Sequence, residues 1–143
     1  MDVYVFDAKL EQWGPDVSAP ASRKLALPAS QTLAVLHGLI QEAFEWDDDH
    51  LYSFWLDGTF WGADETEYTA PFDLDERGAN SAEVSMDTLG LERGQKIAYI
   101  FDFGDEWRIT LTLRELRDGG ETGILERTGE SPAQYPDYED DEE

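Results

Sequence analysis

Residues 95–116, QKIAYIFDFGDEWRITLTLREL, contain the alternation of apolar side chains that decides the fold. Because successive side chains of a β-strand point to opposite faces, each half of this stretch predicts a strand with one apolar face. The tripeptide Gly104-Asp105-Glu106 separates the halves and predicts a hairpin turn. The apolar positions are Ile97, Tyr99, Phe101 and Phe103 in the first half and Trp107, Ile109, Leu111 and Leu113 in the second.

A three-residue loop keeps one face of this hairpin apolar, whereas a two-residue loop mixes apolar and polar side chains on the same face. The expected register pairs Phe103 with Trp107, Phe101 with Ile109 and Tyr99 with Leu111. Three-residue loops usually need a residue with a positive φ, which Gly104 can supply. The same register sets Asp102 opposite Arg108, a cross-strand ion pair that contributes about 0.2–1 kcal/mol.

Residues 31–45 predict one amphipathic helix, which we expect to pack on the apolar face of the sheet. Apolar residues recur there at spacings of three and four, and they are Leu33, Leu36, Ile40 and Phe44. Ser30 or Thr32 is the expected N-cap, because their side-chain oxygens can accept from the first free backbone N–H groups.

Shorter patterns predict the remaining elements and the fold class. We expect strands at 2–10, 23–27 and 51–57, a short hairpin partner at 59–61, a surface loop at 62–83 and a last strand at 123–127. Met86, Leu89 and Leu91 predict a short helical turn that ends at Gly90 or Gly94. Strands joined by short turns imply an α+β fold, a mainly antiparallel sheet packed by one long helix and a short helical turn. We expect one domain over residues 1–130 and a mobile acidic tail over residues 131–143.

The charge of the chain restricts its partners. Thirty-three acidic and 10 basic side chains give the 143 residues a net charge of −23. Because nucleic-acid binding depends on Lys and Arg neutralising phosphates, we expect no direct binding to DNA or RNA. Anionic membranes are disfavoured for the same reason, whereas a basic protein surface would be attracted. Along the sequence the basic residues form no cluster.

The sequence also lacks several features that would point to a compartment or a chemistry. It contains no long apolar stretch and no secretory signal, so we expect a cytoplasmic, bacterial protein without a membrane span. It contains no cysteine, which excludes disulfides, thiolate zinc sites and a cysteine nucleophile. No phosphate-binding glycine loop is present, and the residues identify neither a catalytic group nor a cofactor.

The two histidines are the first candidate site residues. His37 lies at the edge of the apolar stripe of the helix, where a core imidazole with one hydrogen bond is the simpler interpretation. His50 follows three aspartates. If it folds near Asp102 or Asp105, the three side chains form a histidine–carboxylate site for a hard or borderline metal.

Gly104 and Trp107 complete the candidate motif at the hairpin. Asp102-Phe103-Gly104 matches a tripeptide of protein kinases, but the chain has none of the other kinase motifs. A purely structural interpretation stays open as the alternative to the metal site. In that interpretation Trp107 packs in the core and Asp105 accepts from backbone N–H groups of the turn.

Two blocks of sequence resemble a known family. The blocks are Thr32-Leu33-x-x-Leu36-His37-x-x-Ile40-Gln41-x-x-Phe44-x-Trp46-x-x-x-His50-Leu51-x-x-Phe54 and Leu89-x-Leu91-x-x-Gly94-x-x-x-x-Tyr99-x-x-Asp102-Phe103-Gly104-Asp105-x-Trp107. With their flanks they cover most of residues 23–116, and they resemble the ORF-three-like family first named from an Ri plasmid, also labelled a transposon passenger or "TnpR-like". The family's arginine-containing second strand is echoed by the stretch that begins with Arg23.

The resemblance implies an α+β fold with helices on an antiparallel sheet, and it implies little about activity. The resolvase that the "TnpR" label suggests is disfavoured, because the chain lacks a basic DNA-binding region. Two hypotheses remain. The first is a binding or interaction module associated with plasmid or mobile-element genes, with a basic protein as partner. The alternative is a metal-dependent enzyme or metal-binding protein with a site near His50, Asp102 and Asp105.

Overall fold

The computed structural model describes residues 2–11, 21–46, 51–70, 80–102 and 107–129, which form eight strands, one α-helix and two 3₁₀ turns. The strands are β1 (Asp2–Leu10), β2 (Ser22–Pro28), β3 (Tyr52–Trp55), β4 (Glu67–Thr69), β5 (Asn80–Ser81), β6 (Lys96–Phe101), β7 (Trp107–Asp118) and β8 (Gly123–Thr128). The helix is α1 (Leu33–Phe44), and the turns are Asp64–Thr66 and Met86–Thr88.

All eight described strands join in one sheet with the order β5-β4-β3-β6-β7-β1-β2-β8. Neighbouring strands are antiparallel except β4 and β5, which are parallel. The expected antiparallel sheet and the strands at 2–10 and 123–127 are therefore confirmed. No helix in the described part of the chain is long and apolar enough to cross a membrane.

The helix is shorter than expected, with 12 residues instead of a long element over 31–45. Thr32 caps its start, where the side-chain oxygen accepts from the N–H of Val35 at 3.1 Å. Its end is set by Glu45, which takes the left-handed conformation with φ 61°. Both ends lie inside the predicted segment, because the apolar pattern itself runs only from Leu33 to Phe44 and the residues on either side, Thr32 and Glu45, are caps.

The predicted register of the β6–β7 hairpin is wrong by two residues. Phe101 lies opposite Trp107, Tyr99 opposite Ile109 and Ile97 opposite Leu111. Arg108 lies opposite Ile100, so the expected pairing with Asp102 does not form. A shift of two residues leaves every side chain on its face, and the apolar pattern is equally satisfied by both registers. Phe103 and Gly104 lie outside the described residues.

A second prediction is wrong at the other side of the sheet. Residues 59–61 form no strand, and β3 pairs instead with β4 and β6. β4 falls within the segment expected to be a surface loop. Acidic residues such as Glu67 are typical of a loop, which is why the sequence does not predict this strand. That glutamate is buried, where its carboxylate accepts from the hydroxyl of Ser53 at 2.6 Å.

The main core lies between α1 and one face of the sheet. The helix contributes Leu33, Leu36, Ile40 and Phe44, and the strands contribute Phe6, Leu25, Tyr99, Phe101, Ile109, Leu111 and Leu113, among others. The opposite face carries two small apolar clusters, one around Val3, Val5 and Ala26 and one around Trp55, Ala98 and Ile100. Between them the strands present polar side chains.

Replacing Glu45 by glycine is expected to raise the free energy of unfolding by about 1 kcal/mol, because a left-handed residue with a Cβ atom is strained and glycine is not. Glu45→Ala is the matched control, since it removes the same carboxylate and keeps the Cβ atom. Urea unfolding of the three proteins measures the difference. Equal stability of the glycine and alanine variants contradicts the assignment of strain to this position.

Candidate functional site

His37 is part of the core. It is 4% exposed, and its imidazole stacks on the ring of Tyr52 with centroids 3.6 Å apart and an angle of 8°. Its Nδ1 lies 2.8 Å from the hydroxyl of Tyr99. The structural interpretation of His37, an imidazole at the core with a hydrogen bond, therefore fits its position.

Gln41 completes this group of polar side chains, which we name the His37 cluster: His37, Gln41, Tyr52 and Tyr99. The amide of Gln41 donates from Nε2 to the Tyr99 oxygen at 3.0 Å. Because the Tyr99 oxygen accepts from Gln41, the Tyr99 hydroxyl can donate its own proton to Nδ1 of His37. This arrangement fits a neutral imidazole that carries its proton on Nε2. The Oε1 atom of Gln41 is buried and forms no hydrogen bond with the described residues.

An aromatic wall continues from the cluster towards the end of the hairpin. Trp46 stacks on Phe101 at a centroid distance of 5.6 Å and lies 5.3 Å from Trp107. The Nε1 atoms of Trp46 and Trp107 are buried and have no hydrogen-bond partner within the described ranges. His37 reaches the same wall, since its ring centroid is 6.1 Å from that of Phe101. Trp107 therefore packs in the core next to Trp46.

Asp102 lies beside this wall, directly after β6. It is 7% exposed, has φ 66°, and its backbone N–H donates to the carbonyl oxygen of Leu51 at 2.8 Å. His50, Gly104 and Asp105 lie outside the described residues. The described part of the chain holds no group of three metal-ligating side chains. The metal site at His50, Asp102 and Asp105 therefore stays a prediction.

Replacing Tyr99 by phenylalanine is expected to lower the free energy of unfolding by about 1–3 kcal/mol, because the buried His37 Nδ1 and Gln41 Nε2 lose the hydroxyl that both contact. Tyr68→Phe is the matched control: that hydroxyl forms no hydrogen bond with the described residues, and the expected change is within about 0.5 kcal/mol. Urea unfolding compares the two. Equal costs contradict a hydrogen-bonded role for Tyr99.

The opposite face of the sheet carries a groove of about 740 Å³, which we name the open-face groove. Five adjacent strands, from β6 through β7, β1 and β2 to β8, contribute to it. Its lining residues are Asp7, Lys9, Glu11, Ser22, Arg23, Lys24, Gly58, Lys96, Thr110, Thr112, Arg114, Glu126 and Thr128. The alternation that sends the apolar residues of these strands to the core sends most of these residues to the groove.

The three carboxylates of the groove all have partners. Asp7 accepts from Nε of Arg114 at 2.5 Å, and Glu126 lies 3.8 Å from the ammonium of Lys24. The hydroxyl of Thr110 donates to Glu11 at 2.5 Å. Each negative charge in the groove is therefore shared with a donor on a neighbouring strand.

Two ammonium groups of the groove remain without such a partner. Lys9 and Lys96 are exposed and form no hydrogen bond or ion pair with any described residue. Basic residues that are scattered along the sequence meet here, because the sheet brings Lys9, Lys24, Lys96 and Arg114 into one groove. They are far apart in the chain, and the groove follows only from the pairing of their strands.

Arg23 closes one border of the groove and ties it to the helix. Its Nε donates to the carbonyl oxygen of Ala43 at 2.8 Å, and one terminal nitrogen donates to the carbonyl oxygens of Ser22, Thr128 and Gly129. Burial lowers the pKa of this guanidinium, and the charge of Arg127 lowers it further, against the opposite effect of Glu45. The side chain is thus a structural link between α1, β2 and β8.

Comparison with known proteins places this fold. The model of the plasmid pRiA4b ORF-3-like proteins matches residues 2–132. The chain belongs to that family. The resemblance read from the two sequence blocks is therefore confirmed, while the description as a transposon passenger stays a prediction.

Two known proteins are similar to this ORF-3-like protein. It is 30% identical over 115 residues to "Uncharacterized protein y4hQ" of Sinorhizobium fredii (strain NBRC 101917 / NGR234), an alignment over 77% of this chain and 56% of the relative. The chain thus spans about half of that protein. The crystal structure of "Protein of Unknown Function MM3350" from Methanosarcina mazei Go1 is similar with a TM-score of 0.66 and 23% identity, over 90% of this chain and 68% of that one. That likeness supports the fold.

Proposed function

We propose that this ORF-3-like protein is a binding module and that the open-face groove is its ligand site. The observation that carries the proposal is the convergence of charged and hydroxyl side chains from five adjacent strands on one concavity of about 740 Å³. Small-molecule sites commonly have volumes of about 300–1,000 Å³. A continuous sheet holds such side chains more rigidly than loops do, which favours a preformed site.

The stability of the fold gives little reason for the groove's charges. Exposed ion pairs such as Lys24 with Glu126 contribute about 0–1 kcal/mol, and Lys9 and Lys96 have no partner among the described residues. Side chains that add little to folding and lie together in a concavity are candidates for binding a ligand. This supports a binding role for the face that the helix leaves uncovered.

The exterior outside the groove supports a second proposal, that a basic protein docks on this chain. Exposed acidic side chains there are Asp2, Glu42, Glu45, Asp57, Glu65, Glu83, Asp87, Glu92, Glu115, Asp118 and Glu121; among the described residues the exposed basic ones outside the groove are Arg93 and Arg127. The sheet register sets Asp2 opposite Asp118, although like charges in that position destabilise a sheet. The plasmid in the family's name supports a link to plasmid or mobile-element genes.

The local field at this end of the sheet is visible in Tyr4. Burial raises the pKa of its hydroxyl, and the carboxylates of Asp87 and Asp2 raise it further. A positively charged surface that docks here would relieve the repulsion among these carboxylates. Complementary charge of this kind governs specificity and association rate more than affinity.

The ligand proposal predicts that a polar small molecule stabilises the native chain by binding the groove. Melting curves are recorded with sugar phosphates, dicarboxylates, polyamines, neutral sugars and divalent metals. A ligand at about 100 times its Kd adds about 2.7 kcal/mol, which raises the Tm by several degrees. Thr110→Tyr, which fills the groove, is expected to abolish the shift, while Thr122→Tyr, outside it, retains it. No shift with any class, or an unchanged shift in Thr110→Tyr, contradicts the proposal.

The docking proposal predicts capture of a basic protein that is lost on adding salt. The immobilised chain is exposed to lysate at about 0.1 M and about 1 M NaCl, which shortens the Debye length from about 10 Å to about 3 Å. The captured protein is identified, purified and tested again for binding at both salt concentrations. Lys9→Gln is the control and should bind the partner as the native chain does. Capture of acidic proteins alone, or binding unaffected by salt, contradicts this proposal.

A further inference from the structure

We propose that the open-face groove binds a sugar phosphate, with the phosphate held between Lys9 and Lys96. This inference rests on the proposed function of the groove and names the chemistry of its ligand. It follows from three features of the described residues. Two lysines flank β7 on its neighbouring strands, the nearby carboxylates already have hydrogen-bond or ion-pair partners, and the rest of the groove is lined mostly by polar residues, without aromatic rings.

The register places the two lysines on either side of a pair of threonines. Lys9 on β1 lies opposite Thr110, and Lys96 on β6 lies opposite Thr112. Because β7 runs between β1 and β6, strand spacing puts the Cα atoms of the lysines roughly 12 Å apart. Both side chains are long enough to bring their ammonium groups to one anion above the threonines.

The charges around this point favour a dianion. Two ammonium groups lack partners among the described residues, whereas Asp7, Glu11 and Glu126 each share their charge with a donor. A phosphomonoester carries a charge of about −1.5 to −2 at pH 7, which matches two ammonium groups. The hydroxyl of Thr112 forms no hydrogen bond with the described residues and can donate to a phosphate oxygen.

The rest of the lining favours a sugar over a nucleobase. The groove is much larger than a phosphate ion, and its further lining presents Ser22, Thr128 and the carboxylate of Glu126. Hydroxyls and carboxylates of this kind pair with the hydroxyl groups of a sugar. Bases are usually bound by stacking on aromatic rings, and none of the described lining residues is aromatic.

Isothermal titration calorimetry of the full chain at constant ionic strength tests the inference with four probes: glucose 6-phosphate, inorganic phosphate, glucose and adenosine monophosphate. Glucose 6-phosphate is expected to bind more tightly than inorganic phosphate and adenosine monophosphate, and glucose not measurably. Lys9→Gln and Lys96→Gln are each expected to weaken binding about tenfold, since each removes one charged partner. Arg93→Gln, with the same change of charge outside the groove, should leave the affinity unchanged.

Several results would overturn the inference. Glucose 6-phosphate that fails to bind, or binds equally well to the native chain and both lysine variants, excludes the lysine pair as a phosphate site. Glucose that binds as tightly as glucose 6-phosphate contradicts the inference but leaves the proposed binding function intact. The same holds if a dicarboxylate or a polyamine is the only class of compound that stabilises the chain. Inorganic phosphate that binds as tightly as glucose 6-phosphate contradicts the sugar assignment. Adenosine monophosphate that binds as tightly contradicts the preference for a sugar without a nucleobase. Failure of the proposed function itself appears separately, as the absence of any groove-dependent shift in melting.

Discussion

The alternation of side chains along β7 from Trp107 to Leu113, and along the facing parts of its two neighbours, is the constraint on which the structure depends. β7 pairs with β6 on one side and with β1 on the other, so the three strands present one common face to the core and one common face to the groove. Ile109, Leu111 and Leu113 are fully buried in the core that includes the helix. Because each inward residue forces its neighbour outward, Thr110, Thr112 and Arg114 reach the groove. Core and groove are thus two consequences of one pattern.

This arrangement gathers several basic side chains of a strongly acidic protein on one face of the sheet. The chain carries a net charge of −23, yet five of its basic residues line one groove on the face that α1 leaves uncovered. The helix face holds polar groups of another kind, the buried His37 cluster, in which the hydrogen bonds of Tyr99 join α1 to β6. The first set is accessible and suited to binding, whereas the second is buried and contributes to packing and specificity of the core.

Sequence patterns predict the parts of the fold that alternate strongly. The helix that packs against the sheet follows from its apolar period, and the strands at 2–10 and 123–127 follow from short apolar runs. The register of β6 and β7 does not, because a shift of two residues preserves both faces. β4 is missed because Glu67 is polar in the sequence, yet it is buried and its carboxylate accepts from the hydroxyl of Ser53. His37 is predicted as a core imidazole and is found in the core. The groove is missed because Lys9, Lys24, Lys96 and Arg114 are scattered along the chain and meet only through sheet pairing.

The most direct test of this account is the accessibility of single cysteines in a chain that contains no native cysteine. Lys9→Cys and Thr110→Cys point to the groove, while Ala8→Cys and Leu111→Cys point to the core. A water-soluble thiol reagent under native conditions is expected to label the first pair at least about 100-fold faster than the second, because core thiols react only after opening of the structure. Similar labelling rates for Lys9→Cys and Ala8→Cys, or for Thr110→Cys and Leu111→Cys, would contradict a sheet with one face in the core and the other in the groove.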